Sequence, residues 1–263
     1  MKSRDYKRQA RASLKGNWGA AAFAVFIYFV IMAVILTPNI YFRISSGLTS
    51  GVTDPAALSA ETIQSLFATS SITSLLSIFL VYPLAVGLVN AFKQLFRTGD
   101  DKIAGNMFSS GFKNYAHNVL GMFHMGILIT LWTLLLVIPG IIKLFSYAMT
   151  PYILVDRPEL STREAIHESR RMMKGRKWSL FCLELSFIGW ALLCVLTLGI
   201  GNLWLAPYIY TSQASFYQNI LEEDKAAAIA AEAANSAEPE PVKLREFEAS
   251  NHEDYAPKEE TFE

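Results

Sequence analysis

The sequence predicts an all-α fold, a polytopic membrane helical bundle of six transmembrane helices with cytoplasmic amphipathic interfacial helices. Three observations predict it. Hydrophobic residues make up 52% of the chain and charged residues only 17%, against about 25% charged in soluble domains. Six apolar stretches follow one another, at about 18–37, 72–91, 119–138, 141–155, 178–198 and 203–220, most of them near the length that crosses a bilayer. Basic clusters occupy alternate connections and leave the others poor in Lys and Arg, the positive-inside pattern. Both termini are thereby expected in the cytoplasm.

Residues 1–17 carry Lys2, Arg4, Lys7, Arg8, Arg11 and Lys15 against Asp5, with Tyr6, Ala10 and Leu14 at helical spacing. This is a basic amphipathic helix on the cytoplasmic side. The apolar run that follows is too long for a signal-peptide core and is read as an uncleaved first span. The connection Pro38 to Ser71 is rich in Ser, Thr and Gly and holds one basic residue, Arg43, so it belongs outside. Within it, Asp54-Pro55 is an N-cap and first-turn pair, and Leu58, Ile63, Leu66 and Phe67 share one face of a short helix lying on the outer leaflet.

In the second span Pro83 removes a backbone donor and frees the carbonyl of Phe79, which must find a partner inside the protein. Lys93, Arg97, Lys102 and Lys113 return the chain to the cytoplasm. The third span is expected to turn at Pro139-Gly140 into a shorter fourth. An interfacial helix over 161–177 follows, with Ser161 and Glu164 at capping-box spacing. Arg163, Arg170, Arg171, Lys174, Arg176 and Lys177 are its candidate contacts with an anionic membrane surface. Spans five and six are joined only by Gly199-Ile200-Gly201-Asn202. From Leu221 the chain holds 13 acidic and 4 basic residues, leaving 10 and 19 before it. The segment 221–263 is read as an acidic cytoplasmic tail, helical at first and disordered from Asn235.

The chain also reads as three copies of a surface helix followed by a helical hairpin. Leu14-Lys15-Gly16-Asn17-Trp18, Met173-Lys174-Gly175-Arg176-Lys177-Trp178 and Gly111-Phe112-Lys113-Asn114-Tyr115 each close a surface helix and open a span. Ser146 to Thr150 aligns with Pro207 to Thr211, and Pro83, Phe92 and Gln94 match Pro207, Phe216 and Gln218. Chance similarity among apolar helices is the competing explanation. These motifs, with the run from Pro139 through Tyr152 and Leu198-Gly199-Ile200-Gly201, Leu203-Trp204 and Pro207-Tyr208, resemble the bacterial domain-of-unknown-function family 975, found mainly in Firmicutes. The resemblance covers about Arg4 to Gln218. It implies a six-span plasma-membrane protein distantly similar to the membrane domain of some glycerophosphodiester phosphodiesterases, and it brings no established activity.

Chemistry-bearing residues are sparse. Glu184 stands inside the fifth span, where a carboxylate costs a few kcal/mol; it is either a protonatable group on a transport path or a hydrogen-bonded pin between helices. Lys143 is expected near the outer end of the fourth span, snorkelling to the outer headgroups. Tyr147 and Thr150 share its helix face, and Tyr208 and Thr211 form a matching stripe on the sixth span. Together these six residues are the candidate polar interior, as interhelical glue or as the lining of a small cavity. Cys182 and Cys194 are too far apart on a helix to bond. His117 and His124 share a face at about 10 Å and lack a third ligand.

No nucleophile elbow, paired catalytic carboxylates, phosphate loop or zinc spacing occurs. The sequence therefore predicts no catalytic, cofactor-binding or metal site. Its partners are expected to be the bilayer and anionic inner-leaflet lipids, with no nucleic acid, and a homodimer is as compatible as a monomer. Two functions fit: a non-enzymatic scaffold or assembly factor, and a small transporter or lipid-handling channel built around Glu184.

Overall fold

The computed structural model describes residues 3–45 and 60–236. Among them the secondary structure is helical, without strands: α1 (Ser3–Leu14), α2 (Trp18–Ser45), α3 (Ala60–Leu76), a π-helical turn (Ser77–Val81), α4 (Tyr82–Thr98), α5 (Ile103–Lys113), α6 (Tyr115–Leu135), α7 (Val137–Tyr147), α8 (Thr150–Asp156), α9 (Thr162–Met172), α10 (Lys177–Leu185), α11 (Ile188–Leu196) and α12 (Asn202–Ser236). The chain divides into two units, residues 1–220 and 221–263. In the second, the described residues complete α12 as a largely exposed, Ala- and Glu-rich stretch. The Asp54-Pro55 cap, Leu58 and the tail beyond Ser236 lie outside the described residues.

Among the described residues, five stretches are long and apolar enough to cross a membrane: Trp18–Ile35, Ser71–Thr98, Tyr115–Leu135, Val137–Asp156 and Lys177–Leu196. The sixth expected span falls in α12. Its Tyr, Ser, Thr, Gln and Asn residues make it less apolar than the other five, and Thr211, Ser212, Ala214, Ser215, Phe216 and Tyr217 are all almost fully enclosed by protein. A helix surrounded by other helices needs no continuous apolar surface.

Three short helices share one design. Tyr6, Ala10 and Leu14 in α1, Ile103, Met107 and Gly111 in α5, and Ala165, Ser169 and Met173 in and just after α9 are buried at four-residue spacing, one stripe down one face of each helix. Each lies against a membrane helix. The α5–α4 crossing is so close that a Cβ on Gly87 would run into the Met107 carbonyl, and one on Gly111 into the Pro83 carbonyl. Ser169 donates to the Ser146 carbonyl at 3.0 Å and accepts from the Met149 amide at 3.2 Å. In α1, Tyr6 packs edge-on to Phe216 and donates to Asn219 at 3.1 Å, while Gln9 accepts from Ser215. The expected capping box of α9 is formed: Ser161 accepts from the Glu164 amide, and Glu164 accepts from the Ser161 amide.

Two helix breaks are repaired by side chains. The Phe79 carbonyl freed by Pro83 accepts from the Tyr115 hydroxyl at 2.6 Å, the internal partner such a group requires in lipid. A π-helical turn, Ser77–Val81, precedes the helix that Pro83 opens. The second break was not expected. The fifth span divides at Ser186-Phe187, where the Ser186 carbonyl accepts from Lys7 Nζ at 2.9 Å, and the same ammonium lies 4.1 Å from the centre of the Phe187 ring. Burial, and then Arg11, pull the Lys7 pKa below its usual 10.5.

Other boundaries move. From Ala60 the chain is helical without interruption into the second span, so the expected outer-surface helix is continuous with that span. The third span ends at Leu135 and the chain reverses at extended Leu136, three residues before the expected turn. Pro139 falls in the first turn of α7, where its missing N–H costs nothing. Gly140 brings the two arms together, for a Cβ there would meet the Thr133 side chain.

Candidate functional site

Among the described residues, the one buried side chain that carries a charge is one the sequence did not single out. Lys93, 2% exposed, forms an ion pair with Asp156 at the end of α8, and the other Asp156 oxygen accepts from the Tyr217 hydroxyl at 2.9 Å. The Tyr217 ring stacks on Tyr152 with centroids 4.7 Å apart. Beside this centre opens a cleft of about 600 Å³ lined by Asn90, Lys93, Arg97, Lys113, Asn118 and Asp156 among others. Asn90 donates to Ser110 at 2.6 Å and Asn118 donates to the Gly111 carbonyl at 2.9 Å, tying α5 to α4 and α6. The signal was present in the alignment of Pro83, Phe92 and Gln94 with Pro207, Phe216 and Gln218. Continued by one residue it pairs Lys93 with Tyr217, and the match of Ser146 with Pro207 adds Asp156.

The six residues expected to share a polar interior are distributed over separate places. Glu184 accepts from Gln213 Nε2 at 2.8 Å and shares a cavity of about 430 Å³ with Tyr147, Met125 and Leu180. The Gln213 partner was not foreseen, since it lies off the Tyr208–Thr211 stripe. Tyr208 lines a different cavity, of about 380 Å³, with Arg11, Trp18, Trp190 and Trp204. Its ring meets Phe187 edge-on and lies 5.2 Å from the Arg11 guanidinium. Thr150 is fully buried, as is Thr211, which donates back to the Pro207 carbonyl of its own helix at 2.8 Å rather than across to a neighbour.

Lys143 stands in neither cavity. Its ammonium lies 4.3 Å from the centre of the Trp132 ring, and it shares two adjoining cavities with α9: one with Arg163, His167 and Arg170, the other with Arg170, Arg171, Lys174 and Lys177. Lys143 is thus grouped with basic residues of the α9 region. Of the remaining surface candidates, Arg171 makes two contacts with Glu168 at 2.8 Å. Arg176 donates to the Met172 carbonyl and so caps the end of α9. Glu168 also receives Arg157 at 3.0 Å. Hydrogen bonding from Arg171 first, with the charges of Arg171 and Arg157, holds its carboxyl below the usual 4.5.

Among the described residues, no three His, Cys, Asp or Glu side chains converge as a metal site would require. No curated protein and no solved structure matches the chain. Residues 107–224, from α5 into α12, match the family model described as Protein of unknown function (DUF975), and over that stretch the chain resembles that family.

Proposed function

We propose that this protein is a non-enzymatic scaffold or assembly factor of the bacterial plasma membrane, with multiple passes and both termini in the cytoplasm. Ionisable groups of its interior are answered within the chain, while exposed cations of the α9 region line open cavities. Lys93, Asp156 and Tyr217 satisfy one another, and Glu184 is engaged by Gln213. The cations of α9 line cavities open to the surface. That contrast carries the reading: polar groups inside act as pins between helices, and exposed cations such as Arg163 and Arg170 can meet anionic inner-leaflet lipids and protein partners. Replacing Arg171, Lys174 and Arg176 with Gln is expected to abolish cross-linking to partners or shift localisation, while Glu184→Gln leaves both unchanged. Unchanged partners in the triple variant would sink the reading.

The second reading, a small transporter or lipid-handling channel, draws on the cavity that joins Glu184, Gln213 and Tyr147. It requires Glu184→Gln to abolish flux in proteoliposomes while leaving the melting temperature unchanged.

A further inference from the structure

Lys143 is the one Lys or Arg between Tyr115 and Tyr147, a hairpin otherwise built from apolar and uncharged residues. Its neighbours Ile141, Ile142 and Leu144 are about half exposed, an outward apolar surface suited to lipid. Around its ammonium open adjoining cavities of about 370 and 400 Å³, which share Lys143, His167 and Arg170. Arg163 completes the first; Lys174 and Lys177 complete the second. No carboxylate lines either one. The nearby Glu168 is occupied by Arg157 and Arg171.

Besides Arg171, which Glu168 holds, five cations line these two adjoining cavities, and they repel one another unless an anion enters. Guanidinium and ammonium donors brought together from α7, α9 and the start of α10 suit the several oxygens of a phosphate. Depth identifies its source. The hairpin reverses at Leu136, seven residues from Lys143, so its tip extends only about 10 Å beyond the ammonium at 1.5 Å per residue. Half of a bilayer's hydrocarbon core is about 15 Å. The tip residues, Leu134 to Ile138, are all apolar and between 62% and 85% exposed, with no polar group for a far headgroup layer. With α9 on the membrane surface, the cavities stand at that leaflet's headgroup level and the apolar tip lies about 10 Å deeper. Exposed Ile127, Leu131 and Leu144 run from there toward the tip, beside the path of an acyl chain.

We propose that these adjoining cavities hold the phosphate of an anionic phospholipid from the leaflet on which α9 lies, with its acyl chains along the α6–α7 hairpin. The proposal rests on reading α9 as a membrane-surface helix and names what that helix grips. The test uses the full chain in mild detergent, offered phosphatidylglycerol, phosphatidylcholine or inorganic phosphate, with bound lipid counted by native mass spectrometry. The wild type is expected to retain one phosphatidylglycerol, with phosphatidylcholine retained at least roughly tenfold less. Lys143→Met with Arg170→Gln should lower phosphatidylglycerol retention at least roughly tenfold. Arg163→Gln, at an exposed position on α9, probes the same cavity without touching the hairpin and should lower retention several-fold. Equal retention of the two lipids, or full retention by the double variant and by Arg163→Gln, overturns the proposal. Displacement of phosphatidylglycerol by inorganic phosphate also overturns it, assigning the cavities to a soluble anion. If only this site is wrong, partner cross-linking still responds to the Arg171, Lys174 and Arg176 changes; if the scaffold reading is wrong, that response is lost while the lipid count stands.

Discussion

Two lysines set in apolar helices meet opposite surroundings. Lys93 is enclosed and answered within the chain by Asp156, which also binds Tyr217. Lys143 faces Trp132 and a row of cations, and the lining of its cavities contains no acid. Both stand in stretches apolar enough to cross a membrane, so apolarity of the flanks does not reveal the role of a lysine set among them. Its partners do. A lysine matched inside the fold is a structural element, whereas one surrounded by like charge leaves an interaction to be completed from outside.

The comparison is broken most severely at the closed centre. Asp156→Ala should strand Lys93 as an uncompensated buried charge and cost about 3–5 kcal/mol, read as a lower unfolding midpoint in detergent. Lys93→Met combined with Asp156→Leu should recover much of that loss, because it removes both charges. If the single and double variants melt alike, Lys93 is not held by Asp156. Next in size is the α4–α5 crossing that carries Lys93. Gly87→Val must push α5 away from the Met107 carbonyl and should cost about 1–3 kcal/mol, with a parallel loss at Gly111→Val.

Tyr115→Phe sharpens the same contrast at a helix break. It orphans the Phe79 carbonyl and should cost about 1–2 kcal/mol. In a Pro83→Ala background, where the backbone can use that carbonyl, the cost should nearly vanish; an equal cost in both backgrounds would show that the hydroxyl does not serve the proline break. The smallest effect belongs to the open rim. Glu168 has its folded pKa depressed, so its contribution is present above the ordinary 4.5 and lost as pH falls through the lower folded value. Acidification through that window should increase amide exchange in α9 in the wild type, and less so in Glu168→Gln.

What the sequence revealed was the chemistry that acts along the chain. The Ser161–Glu164 box, the carbonyl freed by Pro83 and the stripe of α1 each depend on residues within about three turns, and all are present. Contacts between distant helices were not legible in that way. Nothing local says that Lys7 reaches the Ser186 carbonyl, that Gln213 meets Glu184, or that Asp156 receives Lys93. The grouping of Lys143 with Arg163 and Arg170 is a contact of the same distant kind, which a count of residues along its own helix does not show.

Lys93, Asp156 and Tyr217 each stand ten residues after Pro83, Ser146 and Pro207, respectively. Three arms thus deliver three different groups to one point: an ammonium, a carboxylate and a phenol. A ring of three identical chains could not build this centre, because rotational symmetry would set three lysines or three aspartates face to face. Carrying all three arms in one polypeptide lifts that restriction and lets each position take a complementary chemistry. It also imposes an order on biogenesis. During synthesis Lys93 emerges first, its counter-charge follows 63 residues later, and the phenol that completes the centre comes a further 61 residues on. Until α8 is inserted, the nascent protein holds an unanswered cation, so a chain truncated before Asp156 should be a substrate for membrane quality control rather than a stable fragment.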